Sequence, residues 1–140
     1  MSTSKSAFWD DLARNLKDPE FRRQYVVESM RIATIDQVVN ALDDAREAAG
    51  LSKAALARAI SAEPAVVRRL FSAGHVNPTL GTLAEVAAAL GMRITVEPFP
   101  AAERERLTGA LLDDEDVDTR ALAQHLGELR QLRAERRVPA

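Results

Sequence analysis

Between Leu51 and Gly74 the chain reads LSKAALARAISAEPAVVRRLFSAG, two short helical patterns set back to back around the four residues SAEP. A chain that stops a helix there and restarts it at once must fold the two pieces across a sharp bend. The first piece opens at Ser52, whose side-chain oxygen suits an N-cap, and turns Leu56 and Ile60 inward. The second opens at Pro64, whose fixed φ and missing N–H suit the first helical position, and turns Val67 and Leu70 inward. Ala57 is small at the point where the helices must approach closely. In a bihelical nucleic-acid reader the first helix braces across the backbone and the second lies in the major groove. That chemistry needs an apolar crossing and outward polar groups on the second helix. Here those groups are Arg68 and Arg69, with solvated surface arginines as the plain alternative. Adjacent helical residues diverge by about 100°, so the two cannot read one base. Arg68 is placed toward the groove, and Arg69 toward a phosphate or a carboxylate of the protein.

The rest of the chain is mostly helical in pattern. SAFWDDLARNL takes Ser6 as a cap and puts Phe8, Leu12 and Leu16 on one face, and KDPEFRRQY restarts with Asp18 as cap and Pro19 first in the helix. From Tyr25 to Ala49 the apolar spacing suits a long amphipathic helix, interrupted near Ala33–Thr34 and ended by Gly50. Thr79 or Thr82 opens a further helix that Gly91 closes. MRITVEPFP then alternates Met92, Ile94 and Val96 with Arg93, Thr95 and Glu97, the pattern of a half-buried strand ended by Pro98 and Pro100. A lone strand needs a partner, most simply a second copy of the chain, so Met92, Ile94 and Val96 are expected dimer contacts. Residues 101–140 hold an acidic run from Asp113 to Asp118, read as a solvated linker. A terminal helix follows with Leu122, Leu126, Leu129 and Leu132 in a stripe that needs either the domain's own surface or another protein.

The expected fold is therefore mainly all-α: N-terminal helices over 1–24, a five-helix reading domain over 25–92, a dimerisation strand over 93–100, and a linker and helical tail over 101–140. Hydrophobic residues make up 46% and aromatics only 4%, which favours packed helices over a sheet sandwich. Phe8, Trp9, Phe21 and Tyr25 read as packing residues rather than a base-stacking platform. Without cysteine there is neither a disulfide framework nor a thiolate metal site. Charges fall where a signal peptide would be apolar, and no apolar run approaches the roughly 20 residues of a membrane span, so a cytoplasmic protein is expected. His125 reads as a surface residue with no second ligand at helical spacing, and no cofactor or metal is implied. No nucleophile–base pair or glycine-rich phosphate loop stands out, so no enzyme is expected.

Net charge is −2, yet residues 51–80 hold Lys53, Arg58, Arg68 and Arg69 against Glu63 alone. Taken whole, residues 1–50, 81–100 and 101–140 carry −2, −1 and −2. Phosphate attraction depends on charge within a Debye length, about 8–10 Å, more than on the total.

The run LSKAALARAISAEPAVVRRLFSAGHVNPTLGTLAEVAAALGM resembles the Cro/CI-type (XRE-like) helix-turn-helix family over roughly Ala41 to Met92. The flanking FWDDLARNLKDPEFRRQY and MRITVEPF are more loosely similar to HigA-like antitoxins. The resemblance implies a homodimeric repressor that binds a palindromic operator in double-stranded DNA. As the antitoxin of a type II toxin–antitoxin module, it would neutralise a RelE-like toxin and repress its own operon. Base-reading positions would fall on Glu63, Pro64, Ala65, Val66, Arg68 and Arg69, and phosphate contacts on Ser52, Lys53, His75, Asn77 and Thr79. The chain departs from the family pattern at Ser61, where glycine is usual, at Glu63, where a Ser/Thr/Asn cap is usual, and at Pro64–Val66, where polar residues are usual. Arg68 alone is then left for a bidentate guanine contact, while Ala65 and Val66 can touch thymine methyls. Either specificity comes from few contacts and DNA shape, or strong operator binding has been lost. The alternative function is a protein-interaction module that keeps the helix-turn-helix as scaffold.

Overall fold

A computed structural model describes residues 3–72, 77–112 and 117–137, with side chains described between 7 and 130 of those ranges. The described residues form seven α-helices: α1 (Thr3–Asn15), α2 (Pro19–Ala48), α3 (Lys53–Ala59), α4 (Pro64–Leu70), α5 (Leu80–Ala89), α6 (Ala101–Leu112) and α7 (Thr119–Arg137). None of them is long and apolar enough to cross a membrane. Contacts group the chain into two units, residues 34–96 and residues 1–33 with 97–140.

The first unit holds the C-terminal part of α2 with α3, α4 and α5. Helices of seven residues are marginal by themselves, so α3 and α4 exist through their packing. Leu56, Ala57, Val67 and Val86 are fully or almost fully removed from solvent, and Val39, Leu42, Leu70, Leu83 and Ala87 complete the core. Among the described residues the unit thus contains four helices rather than five. Its expected dimerisation strand is absent: residues 92–100 carry neither helix nor strand, and all are exposed. Met92, Ile94 and Val96 stand 41%, 36% and 99% open. Alternation of apolar residues marks a strand only where a second strand completes the ladder of backbone hydrogen bonds. Nothing else in the described chain is strand.

The second unit pairs the two ends of the chain. Leu12 and Leu16 of α1, Val26 of α2, Leu107 of α6, and Leu122 and Leu126 of α7 share one core. Leu129 packs at its edge, so the protein's own surface takes up the described part of the leucine stripe. Gly127 permits close approach of α1 and α7, because a Cβ there would lie 2.6 Å from Cη2 of Trp9. Arg22 is buried, at 2% exposure. Its Nε donates to the Ala110 carbonyl at 2.9 Å and its Nη1 to the Leu16 carbonyl at 3.0 Å. Arg23 Nε donates to the Leu111 carbonyl at 3.3 Å. Successive arginines of α2 thereby satisfy carbonyls at the negative ends of α1 and α6, which is what makes a buried guanidinium tolerable.

Several expected boundaries change. α1 begins at Thr3, before Ser6. α2 runs through Ala33–Thr34 without a break. α6 occupies the start of the 101–140 segment, ahead of the acidic run, whose residues 113–116 lie outside the described residues. His125 is buried at 7% exposure rather than on the surface, with no partner for Nδ1 among the described residues.

Candidate nucleic-acid interface

The bend at SAEP is built from helix-end chemistry. Ser52 Oγ accepts the Ala55 N–H at 3.0 Å and caps α3. At the other end the Ala62 N–H donates to the Ala57 carbonyl at 2.9 Å and the Ser61 N–H to the Arg58 carbonyl at 3.2 Å. This is the paired closure of a Schellman turn, which puts its C′ residue in the left-handed region. The same closure ends α2 at Gly50, φ 69°, and α5 at Gly91, φ 71°. At the bend, however, the residue is Ser61, with φ 54°. Pro64 then starts α4 at once, and Glu63 is its cap by position but makes no side-chain cap bond.

Arg46 holds this bend from behind. Its Nη1 donates to the Leu51 carbonyl at 2.8 Å, its Nε to Asp43 Oδ1 at 2.9 Å, and its guanidinium lies 5.7 Å from the centre of the Phe71 ring. One half-buried side chain therefore ties the end of α2, the entry to α3 and the end of α4. Sequence reasoning missed it. The Asp43–Arg46 spacing of three is visible in the sequence, but the contact with Phe71 is long-range.

Val67 and Leu70 are the inward residues of α4. At about 100° per residue, Ala65 lies nearly opposite their bisector, and Arg68 and Arg69 sit about 50° to either side of that outward line. Both arginines are exposed. Burial thus sets them astride Ala65 rather than favouring one. Val66, 37% exposed, lies on the flank beside Arg69, and exposed Pro64 lies on the flank beside Arg68.

The cations of this surface differ from those arginines that are tied up within the protein. Arg14, Arg31, Arg46 and Arg120 each take part in an ion pair. Among the described residues Lys53, Arg58, Arg68 and Arg69 make none, and neither does Glu63. Residues 51–80, net basic by three charges, thus keep their cations available to an outside anion.

The remaining expected contacts are placed as follows. Lys53 is the first residue of α3 and half-buried. Thr79 caps α5, its Oγ1 accepting the Thr82 N–H at 3.1 Å, so this hydroxyl, like that of Ser52, already has a structural role. Asn77 is exposed. His75 lies outside the described residues. No group of three or more metal-ligating side chains occurs among the described residues.

Residues 42–96 match the family model described as helix-turn-helix, a span of fewer than half of the 140 residues. It covers α3, the bend, α4 and α5. This part of the chain is a helix-turn-helix domain. The chain matches no curated protein and no solved structure.

Proposed function

We propose that the helix-turn-helix domain binds double-stranded DNA in a sequence-dependent way and regulates transcription. The observation that carries this reading is the ridge of α4: two exposed arginines, without ion-pair partners among the described residues, astride a small residue and away from the core. α3 braces across the backbone, with Lys53 at its start, while α4 enters the major groove. A second copy of the chain, joined through the exposed Met92, Ile94 and Val96, presents two such ridges to half-sites about 34 Å apart.

Within that class the protein is an antitoxin of the HigA-like kind. It neutralises a RelE-like toxin in the cytoplasm and represses its own operon, with no catalytic step of its own. This finer reading rests on the resemblance of the segments that flank the domain. The alternative, an interaction module on a helix-turn-helix scaffold, draws on a groove of about 960 Å³ between α1 and α7, lined in part by Phe8, Trp9, Gln124 and Glu128.

The DNA reading is tested by offering the full-length protein a random duplex library and sequencing what it retains. Enrichment of a two-fold symmetric sequence is the expected result, and the absence of any enriched sequence overturns the reading. Co-expression with the product of the adjacent gene, followed by size-exclusion chromatography, tests the antitoxin role. A stable complex that relieves RNA cleavage is expected, and separate elution contradicts it.

A further inference from the structure

The outward face of α4 is chemically narrow. Adenine is told from other bases by a paired donor and acceptor, which asparagine or glutamine matches. From Glu63 to Phe71 the chain has no amide and no hydroxyl side chain. The arginines donate only, which suits guanine O6 and N7. Exposed Glu63, at the entry to the helix, can accept only from an exocyclic amine, so along the body of α4 the feature of an A·T pair that its apolar residues can use is the C5-methyl of thymine.

The geometry places apolar groups where such a methyl would be met. By helical spacing Ala65 lies nearly opposite the Val67–Leu70 core, partly covered between exposed Pro64, Val66, Arg68 and Arg69. With only a Cβ there, the helix axis can come closer to the base edges than a longer residue would allow. Val66 is 37% exposed and one turn from Arg69, so a methyl on one pair and a guanine or phosphate on its neighbour can be contacted together.

Building on the DNA-binding reading above, we infer that α4 discriminates sequence through pyrimidine C5-methyl groups, met by Ala65 and Val66, and that its affinity responds to C5 methylation. Thymine and 5-methylcytosine are equivalent at the contacted methyl. Uracil and unmodified cytosine are equivalent in lacking it.

The test uses the full-length protein and the duplex enriched from the random library. That duplex is remade with deoxyuridine at each thymine in turn, which removes one methyl and leaves base pairing and hydrogen-bonding edges intact. Binding is expected to weaken about fourfold per contacted methyl, the worth of one buried methyl-sized group. A contacted T·A pair changed to C·G should lose affinity and regain about fourfold when that cytosine carries a 5-methyl group. In Val66→Ser, the thymine–uracil difference should shrink at one position and persist at the others. Equal binding of the thymine and deoxyuridine duplexes, with preference over scrambled DNA retained, overturns the methyl inference and leaves DNA binding standing. A thymine duplex that binds no better than scrambled DNA overturns both.

Discussion

Replacing Ser61 by glycine should stabilise the helix-turn-helix domain, and the reason is local. Three helices close with the same pair of backbone hydrogen bonds, but only at the α3–α4 bend does the left-handed position carry a side chain. A residue with a Cβ held there is strained by about 1–2 kcal/mol. Glycine relieves that strain but gives the unfolded chain more freedom, which costs about 0.4–1 kcal/mol. Ser61 makes no side-chain hydrogen bond among the described residues, so none is lost. The net expectation is a gain of about 0.5–1 kcal/mol. Urea unfolding followed by circular dichroism should show the midpoint raised by roughly 0.3–0.7 M at unchanged slope. Ser61→Ala keeps the Cβ and should gain nothing. An unchanged or lowered midpoint for glycine, or an alanine variant that gains as much, would refute the strain argument.

Arg46→Ala should lower the stability of the same domain by about 1–3 kcal/mol, because it removes charged hydrogen bonds at a half-buried site. Arg46→Lys should recover only part, since an ammonium cannot span Asp43 and the Leu51 carbonyl as the guanidinium does. Gly127→Ala forces a Cβ against the Trp9 ring and should cost about 1–3 kcal/mol, with tryptophan fluorescence reporting the displaced indole. Arg22→Ala leaves the Ala110 and Leu16 carbonyls without this donor and should cost about 1.5–3 kcal/mol in thermal or urea unfolding.

Much of this fold was legible because helix ends announce themselves in short range. Asp18 accepts the Glu20 N–H at 3.1 Å, Ser52 and Thr79 cap as their positions suggest, and Gly50 and Gly91 terminate helices with positive φ. The crossing of α3 and α4 followed from Ala57, Leu56, Val67 and Leu70, all buried. What stayed hidden depends on distant partners. The alternation of Met92, Ile94 and Val96 suggested a strand, but a strand is defined by what it pairs with, and the described residues supply no second strand. α6 was overlooked despite its signal, Leu107, Ala110 and Leu111 at helical spacing, because the acidic run beside it made the whole stretch look like linker. The burial of His125 could not be read from α7 alone, since only the packing of α1, α2 and α6 decides which face of α7 is covered. At the interface, the residue types on α4 were plain in the sequence. The symmetry of Arg68 and Arg69 about Ala65 emerged only once burial fixed Val67 and Leu70 as the inward pair.

The claim on which the rest depends is that the exposed cations around α4 meet DNA phosphates and bases. The most direct measurement is the affinity for the selected duplex as a function of salt, for the wild type and for Arg68→Ala/Arg69→Ala. Counterion release predicts a linear fall of log K with log salt, its slope smaller in magnitude by about 0.9 for each phosphate contact removed per protomer. The double variant should also lose its preference for the selected duplex over a scrambled one. A slope and a preference that both stay as in the wild type, with the variant folded, would mean that this ridge does not face DNA.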